Sequence, residues 1–367
     1  MSAIATIVAT ATAVPPHTAR QEDVKAAFLR LFPMEARRLS TVLATIFDNA
    51  AVERRYSVYP LESVGKRRPL GEAMQDYQRH ALPLGRQVTE AALARAGLRA
   101  DEIDLFVTVS CTGIMIPSLD AHLVGQLGFR RDVRRLPITE LGCSGGAAGM
   151  ARATDFLRGY PQGNALVVAI ELPSLNLQLD DLSRDNLVSS ALFGDGAAAA
   201  VLRGGSHVGV GVGVGDGDGE GGGVQIWGTQ SHLFDRSTHA LGFDLRSDGF
   251  HCVLSKDVPK LLRPEIAAVV DQLALRAGLS RADLTCFVVH PGGKTILGCV
   301  EEELHLNRGD LQPSWDVLRD YGNQSSASVM FVLHEWMKSG RAPSGAYGLL
   351  VGFGPGLSME LLLLRWT

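Results

Sequence analysis

Cysteine is scarce in this sequence, and the few cysteines present are not arranged as a metal site or a disulfide framework. There are five, they are widely spaced, and no two form a CxxC pair: Cys111, Cys143, Cys252, Cys286 and Cys299. Structural zinc sites use closely paired cysteines, and disulfide-rich domains are short chains with even cysteine sets. The pattern predicts free thiols in a reducing cytoplasm and no metal site.

Long apolar runs and an excess of basic residues are also missing. No run of about 18 apolar residues occurs without a charge or a turn signal, so no transmembrane helix is predicted. The apolar start of the chain lacks the basic residues of a signal peptide and indicates a first strand that ends at Pro15 and Pro16. The net charge of −4 argues against a nucleic-acid or anionic-membrane partner, which would favour a basic face.

Neither the length nor the composition indicates disorder. The chain has 367 residues, of which 46% are hydrophobic and 20% are charged, as in ordinary globular proteins. A chain of this length forms about two domains of typical size or one large duplicated unit. The choice between the two depends on whether the sequence repeats.

Two segments of the sequence are alike, and both predict a helix that leads into a buried strand. They are LARAGLRADEIDLFVTVS (Leu93–Ser110) and ALRAGLSRADLTCFVVHP (Ala274–Pro291). In each, an amphipathic helix ends at an Ala-Gly-Leu sequence, whose glycine is typical of a helix C-cap. These glycines, Gly97 and Gly278, lie 181 residues apart. Such a repeat is too long for a solenoid unit and indicates two similar halves.

A second pair of segments keeps the same spacing. A helix predicted to start near Cys143 is echoed by one that starts near Asn323, 180 residues later. Buried-type strands follow both helices, at Ala165–Glu171 and Tyr347–Phe353. Helices that alternate with apolar strands indicate an α/β protein with parallel strand pairing. We expect an approximate two-fold axis between the halves.

A glycine-rich stretch of low complexity, Gly204–Gly223, separates the two halves. A phosphate-binding loop would need a strand before it and a helix after it, and the acidic residues of this stretch would repel phosphate. We therefore predict a flexible surface insertion at 204–223. The first half is then 1–203 and the second half is 224–367.

Cys143 follows a predicted strand and opens a predicted helix in the segment ITELGCSGGAAGM. A cysteine at a helix N-terminus feels the positive end of the helix dipole, which lowers the pKa of its thiol. The neighbouring glycines would let an acyl chain approach closely. Free cysteine is also often a buried packing residue, so Cys143 by itself fits a nucleophile and a structural residue equally well.

Two further polar residues occupy related places in the repeat. His290 ends the apolar strand CFVV, and ligands collect at the carboxyl ends of strands in open α/β sheets. Asn323 takes the place in the second half that Cys143 takes in the first. Singly, His290 fits a structural histidine and Asn323 a helix N-cap.

Together, Cys143, His290 and Asn323 supply a nucleophile, a base and an amide donor without a metal. A thiolate–imidazolium pair would make the thiol nucleophilic at neutral pH. The imidazolium and the amide would then stabilise oxyanions.

Five segments carry a family resemblance: LGCSGGAAG, ALFGDGAAA, VVHPGG, YGNQSSAS and GFGPG. In order and spacing they resemble the type III polyketide synthases, the chalcone-synthase-like branch of the thiolase superfamily. VERRY (Val52–Tyr56) is similar to that family as well. The resemblance implies an α/β, thiolase-like αβαβα layered fold built from two duplicated halves. It also implies an acyltransferase that needs no cofactor beyond its CoA thioester substrates.

By motif position, the resemblance makes Cys143, His290 and Asn323 a catalytic triad. The implied substrate-binding residues are Phe193 as an aromatic gatekeeper, Ser325 in the cavity, and the scaffold loop of Gly352, Phe353, Gly354, Pro355 and Gly356.

The cavity departs from that of the plant members. Cys252 takes the place of a second gatekeeper aromatic and would widen the cavity, whereas Phe243 takes the place of a glycine and would narrow it. Cys111, with Thr112 beside it, resembles the cavity cysteine of bacterial tetrahydroxynaphthalene synthases.

The expected CoA contacts differ too. Lys256 matches a basic residue beside the CoA tunnel of the family. The segment 41–49 lacks the basic residues that plant members present to CoA phosphate. Arg54 or Arg55 is expected to replace them.

The resemblance implies decarboxylative Claisen condensation of malonyl-CoA onto an acyl-CoA starter held by Cys143, followed by cyclisation. The stretch ELPSLNLQLDDLS most resembles alkylresorcinol and alkylpyrone synthases, which use fatty acyl starters. A tetrahydroxynaphthalene-type synthase primed by malonyl-CoA is the close alternative, supported mainly by Cys111.

Two other classes are considered. A ketoacyl-carrier-protein synthase III-like enzyme would share the three residues but would need a basic face for its acidic carrier protein. Phe193 and the GFGPG loop favour the polyketide synthase. The intact set of Cys143, His290 and Asn323 argues against a non-catalytic binding protein.

The resemblance further implies a homodimer, in which the loop at Met115 and Ile116 reaches toward the partner's cavity. The remaining polar candidates are interpreted as solvated loops or as histidines without metal-ligand spacing: Asp180, Asp181, His232, His239 and His251.

Overall fold

The structure is a computed structural model that describes residues 4–31, 37–63, 66, 68–205 and 223–367. Most of the predicted glycine-rich insertion, residues 206–222, lies outside the described residues. The described strands are β1 (Ala5–Ala13), β2 (His17–Arg20), β3 (Arg54–Ser57), β4 (Leu105–Val109), β5 (Arg134–Ile138), β6 (Asn164–Glu171), β7 (Gly196–Gly204), β8 (Val224–Leu233), β9 (Leu241–Arg246), β10 (Gly249–Leu254), β11 (Leu284–Val289), β12 (Tyr347–Gly354) and β13 (Ser358–Trp366). The described α-helices are α1 (Gln21–Leu31), α2 (Arg37–Asp48), α3 (Leu70–Ala96), α4 (Leu119–Leu127), α5 (Gly145–Gly159), α6 (Arg184–Leu192), α7 (Val258–Arg276), α8 (Lys294–Leu304), α9 (Gln312–Tyr321) and α10 (Ser328–Ser339).

The main sheet repeats the duplication seen in the sequence. Its strand order is β11-β12-β13-β8-β1-β7-β6-β4-β5. On either side of the central β8–β1 pair, β13 corresponds to β7, β12 to β6 and β11 to β4. The first half has one additional strand, β5, at the edge of the sheet. The helix caps match as well, since Gly97 and Gly278 have φ angles of 62° and 76°, in the left-handed region that favours glycine.

Strand pairing follows the prediction only in part. Parallel pairs join β4 to β5, β4 to β6, and β11 to β12, whereas the other pairs of the main sheet are antiparallel. The prediction of parallel pairing is therefore wrong for those strands. A short turn at residues 355–357 joins β12 to β13, and so short a connection can only reverse the chain.

The helices form three layers around the two halves of the sheet. One apolar core contains residues of both α5 and α10 and of strands from both halves. A second core packs α3 and α4 on the outer face of the first half, and a third packs α7, α8 and α9 on the outer face of the second. The layering is thus αβαβα, as the resemblance implied.

Glycine lets the two central helices start close together. A Cβ atom on Gly146 would overlap the carbonyl oxygen of Ser326, just before α10. A Cβ on Gly145 would lie 2.5 Å from a methyl group of Val109 at the end of β4. Because no side chain can intervene, the segments before α5 and α10 meet at the centre of the protein. Among the described helices, none has the length and apolar character needed to cross a bilayer.

Candidate active site

The predicted site residues lie where the two halves meet. Cys143 is in a one-turn 3-10 helix, Gly142–Ser144, directly before α5. Asn323 precedes the corresponding turn, Ser325–Ala327, directly before α10. His290 follows β11, and its backbone N–H donates to the carbonyl of Val351 at 2.8 Å.

A continuous chain of contacts connects the three predicted catalytic residues. The thiol of Cys143 donates to Ser325 Oγ at 3.4 Å. The backbone N–H of Ser325 donates to Asn323 Oδ1 at 2.8 Å, and Asn323 Nδ2 donates to the Gly292 carbonyl at 3.5 Å. The N–H of Gly292 in turn donates to the His290 carbonyl at 2.8 Å. The fold therefore brings together residues that are far apart in sequence.

The side chains of Cys143 and His290 are neutral in the resting site. Cys143 is half-buried, yet protein atoms surround its sulfur closely enough that burial raises the pKa of the thiol to about 12. His290 is fully buried, and burial lowers its pKa to about 3. Its Nδ1 has no hydrogen-bond partner among the described residues. Burial thus favours the neutral form of both the thiol and the imidazole, in contrast to the thiolate–imidazolium pair that the sequence suggested.

Asn323 is fixed by its backbone to the segment that carries Phe193. Its N–H donates to the Leu192 carbonyl at 2.9 Å, and its carbonyl accepts from the Gly194 N–H at 3.0 Å. The backbone positions of Phe193 and Asn323 are therefore coupled.

The sequence analysis missed Glu171, whose buried carboxylate lies beneath the site. It accepts hydrogen bonds from the backbone N–H of Cys111 at 3.1 Å and from the hydroxyl of Thr112 at 2.6 Å. It also accepts from the hydroxyl of Ser326, in the opposite half of the protein. Burial raises the pKa of Glu171, although these donors act in the other direction. An acidic residue at the end of the apolar strand ALVVAIE was the available signal.

A cavity of about 90 Å³ opens beside Ser325. Five of the predicted substrate-binding residues line it: Thr112, Phe193, Phe243, Cys252 and Ser325. An apolar part of its lining consists of Val24 and Phe28 of α1 together with Leu61 and Leu177, which belong to one apolar cluster. The cavity lining therefore includes both Ser325, which contacts the thiol of Cys143, and an apolar end near α1.

Cys111 and the predicted scaffold loop pack around the site. The sulfur of Cys111 is buried and lies 3.1 Å from Ser325 Oγ, so it touches the same hydroxyl as Cys143. In the loop of Gly352, Phe353, Gly354, Pro355 and Gly356, the proline packs against Gly142. A Cβ on Gly142 would lie 2.5 Å from Pro355 Cδ. The loop thus supports the turn that holds Cys143.

The structure separates the three predicted CoA-binding residues. Lys256 is exposed and lines a second cavity of about 300 Å³, which reaches Gly292 and Gly293. Arg54 lies in a different groove and approaches Asp320 at 3.7 Å.

The prediction that Arg55 contacts CoA phosphate is wrong. Its guanidinium is buried and donates to the carbonyls of Ser190 and Phe193 at 2.6 and 2.9 Å. Burial lowers the pKa of Arg55 to about 10, while the nearby carboxylate of Asp195 acts against that shift. The side chain therefore braces the cavity wall and is not presented to an external phosphate.

Among the described residues, no cluster of histidine, cysteine, aspartate and glutamate side chains could hold a metal ion.

The chain matches known proteins along its whole length. Residues 1–206 match the family described as chalcone and stilbene synthases, N-terminal domain, and residues 225–367 match the C-terminal domain of that family. The chain is 38% identical, over 98% of its length and 93% of the relative, to 1,3,6,8-tetrahydroxynaphthalene synthase of Streptomyces peucetius subsp. caesius. It is 31% identical, over 98% of its length and 91% of the relative, to the alpha-pyrone synthesis polyketide synthase-like Pks18 of Mycobacterium tuberculosis.

The fold agrees with these relationships. The crystal structure of 1,3,6,8-tetrahydroxynaphthalene synthase from Streptomyces coelicolor A3(2), described as a bacterial type III polyketide synthase, has a TM-score of 0.91 and 34% sequence identity. The match covers 99% of both chains. A polyketide synthase from the brown alga Ectocarpus siliculosus has a TM-score of 0.90 at 28% identity, covering 100% of this chain and 99% of that one.

The neutral resting pair predicts how Cys143 reacts with iodoacetamide. Since the thiolate is the reactive form and burial raises the pKa of Cys143 to about 12, the alkylation rate should rise about tenfold per pH unit from neutral pH to beyond pH ~9. The rate is measured by mass spectrometry of the peptide that contains Cys143. His290→Gln should change it less than about threefold, because a neutral imidazole does not stabilise a thiolate. A plateau below pH ~8 that His290→Gln abolishes would instead establish an ion pair.

Proposed function

The chain belongs to the chalcone and stilbene synthase family and is a type III polyketide synthase; from that premise we propose that Cys143 carries the growing chain, with His290 and Asn323 as its partners. The contact chain Cys143–Ser325–Asn323–Gly292 is the observation that carries this proposal. The chain of contacts links the thiol of Cys143 to the amide of Asn323 and to the backbone beside His290, which supports roles as nucleophile, amide donor and base in acyl transfer.

Because Cys143 and His290 are both neutral at rest, transfer of the starter to Cys143 must include a proton transfer. As the Cys143 sulfur attacks the thioester carbonyl of the starter, its proton passes to the imidazole of His290. The tetrahedral intermediate then collapses, the C–S bond to CoA breaks, and His290 returns the proton to the departing CoA thiolate. Because charge forms only during the reaction, the buried site need not hold a separated ion pair at rest.

The extension step uses the same groups on malonyl-CoA. Loss of CO2 leaves its electron pair as an enolate, whose oxygen accepts hydrogen bonds from the Asn323 amide and from the side chain of His290. Ser325 N–H holds Asn323 Oδ1 at 2.8 Å, and the amide's contact to Gly292 is long, at 3.5 Å. The Nδ2 donor is therefore oriented but only weakly engaged before substrate binds. The enolate carbon attacks the carbonyl of the Cys143 thioester, the bond to the Cys143 sulfur breaks, and the product is a β-ketoacyl-CoA with Cys143 left as a thiolate that takes up a proton. For the next round, the Cys143 thiol attacks this new thioester as it attacked the starter, and CoA is released as its thiol.

For the starter, the apolar end of the cavity favours a fatty acyl group. Val24, Phe28, Leu61 and Leu177 offer an alkyl chain the contact area that a malonyl group would not use. The products proposed are alkylpyrones or alkylresorcinols. The relative from Mycobacterium tuberculosis, whose name refers to alpha-pyrone synthesis, supports this proposal.

A specific contact favours the second candidate, a synthase that uses malonyl-CoA as its own starter. Cys111 touches Ser325 at 3.1 Å beside the nucleophile, and the relative that is 38% identical is named 1,3,6,8-tetrahydroxynaphthalene synthase. The two candidates differ in the starter and share the condensation chemistry.

Access for CoA is proposed through the cavity lined by Lys256. Arg184 and Lys294 are also exposed at this cavity, and its wall at Gly292 and Gly293 adjoins His290. We propose that these three cations contact the phosphates of CoA while the thioester reaches the thiol. They take over the role that the sequence analysis gave to Arg54 and Arg55.

We also propose that the enzyme is a cytoplasmic homodimer. Ile116 is 95% exposed and Ile114 is 44% exposed on one loop, and exposed apolar side chains of this kind are typical of an interface. The five free thiols support a reducing compartment. Light scattering at micromolar concentration should give twice the mass of the chain, and the mass of a single chain would contradict the dimer.

The proposed mechanism includes an acyl-enzyme at Cys143 that mass spectrometry can detect. With a fatty acyl-CoA and no malonyl-CoA, the wild-type protein should gain the mass of one acyl group on the peptide that contains Cys143. Cys143→Ala should gain none, whereas Cys299→Ala, which removes a buried thiol outside the cavity, should acylate like the wild type. Equal acylation of wild type and Cys143→Ala would show that the nucleophile is another residue.

A panel of starters with malonyl-CoA distinguishes the two candidates. Fatty acyl-CoA should give pyrones or resorcinols, and malonyl-CoA alone should give little aromatic product. Ala19→Phe adds a ring at the apolar end of the cavity and should reduce kcat/KM for long starters about tenfold while sparing acetyl-CoA. Efficient aromatic product from malonyl-CoA alone, unaffected by Ala19→Phe, would select the malonyl-primed enzyme.

The CoA assignment predicts an effect on binding with little effect on chemistry. Lys256→Ala should raise KM for malonyl-CoA roughly fivefold to tenfold and leave kcat nearly unchanged, since the phosphates do not react. The matched control is Lys260→Ala, a nearby lysine paired with Asp257 at 2.7 Å. Lys256→Ala should not change KM for malonyl-N-acetylcysteamine, a thioester that lacks the phosphates. An equal rise with both thioesters would exclude a phosphate contact.

A further inference from the structure

One wall of the substrate cavity is a hairpin that stands apart from the main sheet. Strands β9 and β10 pair only with each other among the described strands. Phe243 on β9 and Phe250 and Cys252 on β10 line the cavity. Their spacing from Ser325 therefore depends on what holds the hairpin in place.

Strand geometry directs His251 away from the cavity. Successive side chains of a strand point to opposite faces, and Phe250 and Cys252 on either side of His251 face the cavity. The imidazole of His251 instead lies in a charged cluster behind that wall. It is only 8% exposed.

The cluster joins the hairpin to the loop before α6. The two ring nitrogens of His251 each face a carboxylate: Nδ1 lies 3.3 Å from Asp181 Oδ2, and Nε2 lies 3.0 Å from Asp248 Oδ1. Arg246 also approaches the ring, with Nη1 3.4 Å from Nδ1, and it pairs with Asp244 at 2.8 Å. Of these partners, Asp181 alone belongs to the loop, so its contact is the one that connects the two segments.

Hydrogen bonds within the 178–186 segment hold Asp181 in place. Asp181 Oδ1 accepts from the Ser183 N–H at 2.8 Å. The amide of Asn186 donates to the carbonyls of Asp181 and Gln178 at 2.6 and 2.7 Å. Asn186 itself lines the cavity, so the loop that receives the imidazole is part of the same wall.

Few other polar contacts attach the hairpin to this segment. Gln178 Nε2 donates to the Phe250 carbonyl at 3.3 Å, and the Leu254 N–H donates to Asp185 at 2.8 Å. The hydrogen bond to His251 is the largest cause of a lowered pKa at Asp248. In the central part of β10, the contact of His251 with Asp181 and the hydrogen bond of Cys252 with Ser189 are the side-chain links to the neighbouring loop and to α6.

We propose that His251 is a positioning residue: Asp248 orients its ring, and its contact with Asp181 holds the β9–β10 hairpin against the 178–186 segment and thereby sets the size of the polyketide cavity. The inference rests on the proposed synthase activity. Phe250 and Cys252 would move outward if the cluster were broken, and the chain could then be extended further before it cyclises. His251 does not touch the reacting atoms.

The test combines a measurement without substrate with a product analysis. His251→Gln removes the imidazole, and Asp181→Asn removes the carboxylate that it contacts. His232→Gln is the matched control, because His232 on β8 contacts Glu265 at 2.7 Å. Hydrogen–deuterium exchange of residues 241–254 should be roughly tenfold faster in the first two variants. It should be unchanged in the control.

With malonyl-CoA and a starter, the same two variants should shift the ratio of products that differ by one malonyl unit at least about threefold. Acylation of Cys143 should stay within about twofold of wild type. Asp248→Asn, at the exposed end of the cluster, should give a smaller shift in the same direction and serves if the other variants fold poorly.

The proposal would be overturned if His251→Gln and Asp181→Asn kept the exchange rates and product ratios of the wild-type protein. It would also be overturned if His232→Gln changed both quantities to the same extent. A uniform loss of all products at an unchanged ratio would also overturn it, since that result describes stability alone. If the wild-type protein made no polyketide, the proposed function would fail, and the exchange measurement would still decide whether His251 holds the hairpin.

Discussion

The site depends on one buried carboxylate that joins the two halves of the protein. Glu171 ends a strand of the first half and binds Cys111 and Thr112, which follow the neighbouring strand. It also accepts from Ser326, at the start of the central helix of the second half. Because a buried carboxylate without donors is costly, these groups must stay together, and Ser325 is thereby held against Cys143. Gly145 and Gly146 at the start of α5 make this meeting possible, since a Cβ atom on Gly146 would overlap the Ser326 carbonyl oxygen before α10.

Burial around Cys143 and His290 has a chemical consequence. It raises the pKa of the thiol and lowers that of the imidazole, so the proton stays on sulfur until a substrate arrives. A neutral thiol is protected from adventitious alkylation and oxidation. The amide of Asn323 is already oriented by Ser325, so in the proposed mechanism the oxyanion donor needs no reorganisation when charge develops. The low polarity that keeps the resting thiol protonated would also strengthen the proposed hydrogen bonds to the enolate.

The cavity combines a rigid end with an adjustable end. Near the thiol, the turns before α5 and α10, the loop at Pro355 and the Glu171 network leave little freedom. Farther out, the wall is a hairpin attached through a few polar contacts, and its residues differ from those expected in plant members at Phe243 and Cys252. Under the two proposals made above, condensation chemistry and product shape are set by separate parts of the fold. This separation fits a family in which the reaction is shared and the products differ.

The sequence by itself determined the features that rest on local pattern. The repeat of helix, glycine cap and apolar strand revealed the duplication, and the equivalent places of Cys143 and Asn323 in that repeat indicated the centre of the site. Only the tertiary structure decided the contacts between distant side chains. Glu171 could be read as the end of a strand, Arg55 as a surface cation, and His251 as an isolated histidine. Their partners lie 60, 135 and 70 residues away in the sequence. Periodicity records which face of an element is buried, whereas the pairing of buried charges depends on how separate elements pack together.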